Sequence, residues 1–174
     1  MRSIMAMLLP KGADAGALYS AVVAEARRPA WYREGAVADS LDGRFAVLST
    51  LVALTILRLE EGDEAAVRHS AALTESFIAD MDAQMREEGF GDPSIGKQVR
   101  SMVGALASRV DRWREVRTSA DGWDKAALFS IYRDVQPKLE SASTYSVEAL
   151  RRFSEGLEGR IMVLRWNFVK EPHY

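Results

Sequence analysis

The chain contains no cysteine in 174 residues. That excludes a disulfide framework, thiolate-held metal and cysteine nucleophiles together. Histidine is almost missing as well, with only His69 and His173. The Glu-x-x-His pairs of helical di-metal sites therefore cannot be assembled. Neither H-E-x-x-H nor G-x-S-x-G occurs, so the common zinc and serine hydrolase arrangements have no footing. No metal site and no cofactor is indicated. There is no surplus of either charge, the net value being -2, so DNA is not indicated and any basic surface must be local. No apolar run reaches the roughly 20 residues of a membrane span. Residues 1–9 are apolar, but Pro10-Lys11-Gly12 cuts them short, which is brief for a signal sequence, and no small-residue cleavage pattern follows. Residues 1–12 read as a loose lead-in and residues 13–174 as a single domain.

What is present is helical. Apolar residues make up 48% and charged ones 28%, enough to build a core and stay soluble, and no period-2 alternation stands out. Residues 13–28 place Leu18, Val22 and Ala26 on one face, and Pro29 ends the run. Trp31 and Tyr32 follow in a short aromatic segment, and Ser40 or Asp39 can cap the next helix. Residues 45–59 are apolar or small nearly throughout, apart from Ser49, Thr50 and Thr55. At about fifteen residues this is the buried central helix of a bundle, too short for a span. Gly62-Asp63 restarts helix. Ala66, Leu73, Phe77 and Met81 then form an inward stripe, and Gly89 is placed for a left-handed cap with Phe90 folding back onto it. Asp92 and Pro93 suit an N-cap and first helical position. Val99, Met102, Val103, Leu106, Val110 and Trp113 mark one face of a further helix. Trp123, Leu128, Ile131 and Val135 mark another, stopped near Pro137. Residues 141–146 read as a looser serine-rich stretch before Val147, Leu150 and Phe153. The fold class is all-α, a single-domain helical bundle of about seven helices around a central buried one.

Two stretches carry more than connection. Residues 80–97 nearly spell a phosphate loop at Gly91-Asp-Pro-Ser-Ile-Gly96-Lys97-Gln98. A helix precedes it instead of a strand, Pro93 has no N–H, Asp92 would repel phosphate, and Gln98 replaces the metal-binding hydroxyl. Asp80 and Asp82 stand about 200° apart on a helix and cannot share an ion, whereas Asp82 and Arg86 form an i,i+4 pair. The second stretch is Leu41-Asp42-Gly43-Arg44-Phe45. Glycine in a first turn lowers helix propensity by about 1 kcal/mol, so Gly43 implies a close backbone, and Arg44, unfavourable at a helix N-terminus, implies a fixed acidic or carbonyl partner. Ten acidic residues between 60 and 92, then six basic residues between 97 and 117, would favour antiparallel packing of two helices of opposite sign. Met5, Met7, Met81, Met85 and Met102 could supply an adaptable apolar surface or fill the core.

Four collinear segments resemble the ubiquinol–cytochrome c chaperone family, alphaproteobacterial type. They are Leu18-Tyr19-Ser-Ala-Val-Val-Ala-Glu-Ala-Arg27, Pro29-Ala-Trp31-Tyr32, Asp39-Ser-Leu-Asp42-Gly43-Arg44-Phe45, and the run from Asp80 through Arg86-Glu87-Glu88-Gly89 to Asp92 and Lys97. The resemblance implies a non-enzymatic helical chaperone. Such a protein binds newly synthesised cytochrome b, nascent or newly inserted, for assembly of ubiquinol–cytochrome c reductase. It further implies a cytoplasmic location with peripheral contact at the inner face of the membrane. By analogy with the mitochondrial relatives, the ribosome exit region or a small partner protein would be met. The partner-binding residues it implies are Tyr19, Trp31, Tyr32, Asp42, Arg44, Asp80, Arg86, Glu87, Asp92 and Lys97. The alternative is a helical bundle that binds a small apolar ligand or lipid beside the residue 45–59 helix.

Overall fold

The computed structural model describes residues 15–168, apart from the side chains at positions 15, 92, 140 and 158–168. The lead-in over residues 1–12, Met5, Met7 and His173 lie outside the described residues, as do the side chains of the apolar tail beyond residue 160. Among the described residues the structure is all helix: six helices and one single turn. They are α1 (Ala15–Ala26), the turn α2 (Ala30–Arg33), α3 (Leu41–Glu60), α4 (Glu64–Glu87), α5 (Asp92–Val116), α6 (Trp123–Tyr132) and α7 (Glu140–Phe168).

The all-round apolar helix is the axis of the fold. α3 packs against α1, α4, α5, α6 and α7, and every residue from Ala46 to Leu57 is buried. A helix surrounded on all sides has no polar face to offer. Each fully buried Leu or Ile on it contributes about 1.5–3 kcal/mol. The three hydroxyl residues of its buried stretch are satisfied from within, because Ser49, Thr50 and Thr55 donate to the carbonyls of Phe45, Ala46 and Leu51 at 2.6, 2.7 and 2.8 Å, which pairs each hydroxyl with its own helix. No helix among the described residues is long and apolar enough to cross a membrane.

Local chemistry sets the ends. Ser40 caps α3, its Oγ accepting from the Gly43 N–H at 3.2 Å, and Asp63 caps α4 by accepting from the Ala66 N–H at 3.0 Å. Gly89 takes φ +82°. Its N–H donates to the Arg86 carbonyl at 3.1 Å and that of Phe90 to the Met85 carbonyl at 3.1 Å, the paired bonds of a Schellman end. Leu73, Phe77, Met81 and Met85 form the buried stripe of α4.

Four local expectations are corrected. Gly91, not Asp92, is the N-cap of α5, with Asp92 already helical; the Gly91 carbonyl accepts the first bonds, from Ser94 and Ile95 at 2.9 and 3.2 Å. Phe90 is 39% exposed and does not fold back as a buried partner. α6 stops at Tyr132 because Arg133 and Asp134 turn left-handed, φ 54° and 61°, leaving Val135 outside it and 68% exposed. Residues 141–146 belong to α7, since Ala142 and Ser146 are buried and the Tyr132 hydroxyl lies 2.9 Å from the Ala142 carbonyl and 2.7 Å from Ser146 Oγ. That hydroxyl also reaches the Gly35 carbonyl at 2.7 Å, tying α6, α7 and the segment after α2 together.

A buried arginine joins α5 to α6. Arg109 is 7% exposed; it donates to the Ala105 and Ser130 carbonyls at 3.1 and 2.8 Å and lies over the Phe45 ring, 5.5 Å from its centroid. Burial, with Arg133 adding like charge, pulls it down to about 10, so it stays charged at neutral pH. The carbonyl end of α6 supplies the compensating negative dipole.

Candidate partner-binding cleft

The first turn of α3 organises the site. A side chain at Gly43 would put its Cβ 1.9 Å from the Ala38 carbonyl oxygen, so the segment before α3 lies directly against the helix backbone, as a glycine there implies. The close pass carries Asp39 back over α3, where its Oδ1 accepts from Arg44 Nε at 2.9 Å and Nη2 at 2.7 Å. This is the fixed partner expected for Arg44.

Arg44 and Asp39 stand on the rim of a cleft of about 540 Å³ built from α1, α2, α3 and α4. Val23, Ala26, Phe45, Leu48 and Met81 give it an apolar floor. Tyr32 lines it, its hydroxyl donating to the Ala26 carbonyl at 3.1 Å. From α4 comes Asp80, which accepts from the Tyr19 hydroxyl at 2.6 Å across the α1–α4 seam. Burial first, and the Asp80 carboxylate second, push the Tyr19 phenol well above its usual range, and burial also raises Tyr32. Both stay neutral donors at physiological pH. Arg27, Pro29, Arg33, Asp39 and Arg44 are exposed, so the cleft opens to solvent.

Of the residues singled out in the sequence, Tyr32, Arg44 and Asp80 therefore meet in one place, with Tyr19 bonded to the last. Trp31 lies beneath them, fully buried, its indole donating to the Glu25 carbonyl at 3.1 Å and its ring edge-on to Tyr145; it supports the site from within the core. Asp42 points elsewhere, pairing with Arg133 at 3.3 Å in a groove shared with Val135 and Pro137. Arg86 pairs with Asp82 at 2.8 Å and lines a separate α4–α5 groove with Ile78, Ile95 and Val99. Glu87 and Lys97 are exposed on the corner between α4 and α5, and the Asp92 side chain lies outside the described residues. The corner at residues 80–97 is thus divided, Asp80 facing one cleft and Arg86 another. Arginines at the C-terminal end of α5 reach past it, Arg114 to Glu60 at 2.8 Å and the capping residue Arg117 to Glu61, joining α5 to the end of α3. His69, half-buried on α4, is not part of the cleft. Among the described residues no three His, Asp or Glu side chains gather as a metal site.

Arg27 and Arg33 escaped the sequence reading. They flank the Pro29-Ala-Trp31-Tyr32 turn, and only the fold shows that the turn hands both to the same opening. Their spacing around a proline-started single turn was the available signal.

Comparison with known proteins bears on this arrangement. No curated protein matches the chain. The crystal structure of the Cbp3 homolog from Brucella abortus resembles it with a TM-score of 0.65 at 23% identity, covering 81% of this chain and 82% of that one, a likeness of fold. The family model for the ubiquinol-cytochrome C chaperone matches residues 33–131, which take in α3, α4, α5 and α6 with the α3-side wall of the cleft. The chain belongs to the ubiquinol-cytochrome C chaperone family.

Proposed function

We propose that this protein is a non-enzymatic assembly chaperone that binds newly made cytochrome b and holds it for incorporation into ubiquinol–cytochrome c reductase. The observation that carries the reading is the family match across the central helix and the elements packed around it. The cleft supports it. Its exposed arginines and apolar floor suit a polypeptide segment with both charged and apolar side chains, and its two aspartates are each already engaged, by Arg44 and by Tyr19. A catalytic role for Asp80, Arg86, Asp92 and Lys97 would need them to converge, and Asp80 and Arg86 face different grooves. An apolar small molecule or lipid would want an enclosed apolar chamber beside α3; the space beside Phe45 and Leu48 is open and rimmed by charge, which favours the peptide reading. Tyr19, Tyr32, Asp80 and Arg44 are the contact residues at the cleft. Asp42, Arg86, Glu87, Asp92 and Lys97 form outlying contacts, toward further client, a small partner protein, the ribosome exit or the membrane surface.

The test is affinity capture of the tagged full chain from detergent-solubilised cells that make cytochrome b. Recovery of cytochrome b, reduced in Arg44→Ala at unchanged fold stability, is the expected result. Capture without cytochrome b would remove the reading.

A further inference from the structure

The cleft holds five charged groups, and their pairing is uneven. Asp39 is taken by Arg44, both of whose bonds fall on Oδ1. Asp80 accepts the short bond from Tyr19. On the cationic side, Arg27 and Arg33 make no ion pair with any described residue, although neighbouring Arg28 is paired with Glu25 at 3.2 Å. Arg27 directly follows α1 and Arg33 is the last residue of α2, so the two guanidiniums come from either side of Pro29 and line one opening. Each carboxylate of the cleft is thus already engaged by one donor side chain, whereas two of its three guanidiniums have no ion partner among the described residues. Three arginines against two aspartates leave the opening with a surplus of positive charge and two planar forks suited to carboxylates. Beneath them lie Val23, Ala26, Phe45, Leu48 and Met81.

We infer that this cleft selects a peptide segment carrying acidic side chains beside apolar ones, the carboxylates on Arg27 and Arg33 and the apolar side chains on the Phe45–Leu48–Met81 floor. The inference rests on the chaperone reading and names the client chemistry that this site takes. A bare anion would leave the floor unused. A membrane surface would call for large apolar side chains presented around the basic groups, and the exposed ones, Val67, Phe90, Val135 and Leu139, all lie off the cleft. A basic segment would meet three arginines and only engaged aspartates, a like-charge arrangement that disfavours it.

The experiment measures fluorescence anisotropy of the purified full chain with a short labelled leucine-rich peptide bearing two adjacent glutamates, and with its glutamine and lysine counterparts. The glutamate peptide should bind, more weakly as salt rises, and the other two about tenfold less tightly or worse. The double variant Arg27→Ala/Arg33→Ala should lose about the same factor, Arg27→Lys/Arg33→Lys less because the bidentate forks go while the charge stays, and exposed Lys125→Ala on α6 nothing. Urea midpoints of the variants establish that the fold is kept. Equal binding of the glutamine peptide, or full binding by the double alanine variant, overturns the inference. So does displacement of the peptide by inorganic phosphate alone, or Arg27- and Arg33-dependent binding to phosphatidylglycerol vesicles without peptide binding. Cytochrome b capture separates the two levels. If wild type and the double variant both recover it equally, the cleft assignment falls and the chaperone reading stands; if wild type recovers none, the chaperone reading itself falls.

Discussion

Replacing Gly43 by alanine sets two effects of opposite sign against each other. Helix propensity alone favours the change by about 1 kcal/mol. Against it stands the Ala38 carbonyl, with oxygen 1.9 Å and carbon 2.9 Å from the new Cβ, and Val37 Cγ1 at 3.2 Å. The obstacle is backbone, and it is held: Ala38 O accepts from the Ser40 N–H at 2.9 Å, and the Val37 N–H donates to the Trp31 carbonyl at 3.1 Å. Ala36 just upstream already sits at φ 48°, so the segment has little room to yield. Relieving the overlap costs about 1–3 kcal/mol and draws Ser40 off the Gly43 N–H, a cap worth about 1 kcal/mol. The clash wins, and Gly43→Ala should lose about 2 kcal/mol net, lowering the urea midpoint by roughly 1 M at unchanged slope. It should also loosen the Asp39–Arg44 pair and so weaken client capture. Gly104→Ala is the matched control: it is the same substitution on the exposed face of α5, where a Cβ meets nothing within 4 Å, and it should gain about 0.5–1 kcal/mol. A Gly43→Ala protein as stable as wild type, or a destabilised Gly104→Ala, would refute the reasoning.

The capping pattern makes a second prediction: Ser40→Ala should cost about 1 kcal/mol, whereas Asp92→Ala, one position inside its helix, should cost only about 0.3–1 kcal/mol through the helix dipole, both read from urea curves. Arg109→Ala should destabilise by about 2–4 kcal/mol, since it opens a cavity and strips the Ser130 carbonyl of its donor; Arg109→Met keeps the volume and should cost clearly less. Tyr19, Tyr32, Tyr132 and Tyr145 are all shifted upward, in each case mainly by burial. The unfolded chain therefore releases these protons first, and stability is held below the unfolded phenol value of about 10 and falls as pH rises past it. Titration followed by tyrosinate absorbance should show this as one cooperative step coincident with loss of helix; tyrosines ionising gradually in a still-folded protein would contradict it.

Much of the scaffold is legible because its signals are local. An unbroken apolar stretch can only be a surrounded helix, so α3 announces its place. Ser40, Asp63 and Gly89 act through bonds to residues a few positions away, and Gly43 and Arg44 imply their neighbours by being costly where they stand. The errors arise where tertiary contacts override a local pattern. Val135 keeps the apolar spacing of α6, but the left-handed Arg133 and Asp134 end the helix three residues earlier. Ser141 to Ser146 look loose by composition, yet Tyr132 and the core pull them into α7. The cleft was legible only in parts, because Tyr19 and Asp80 stand 61 residues apart and nothing local joins them. Arg27 and Arg33 look like ordinary solvated charges until the fold faces them into one opening.

The central claim is that the cell uses this helical bundle to bring cytochrome b into ubiquinol–cytochrome c reductase. Reduced-minus-oxidised difference spectra of membranes from a deletion strain test it most directly. The account predicts loss of the cytochrome b signal together with ubiquinol–cytochrome c reductase activity, restored by the wild-type chain and poorly by Arg44→Ala. Normal cytochrome b absorbance and normal reductase activity in the deletion strain would contradict it.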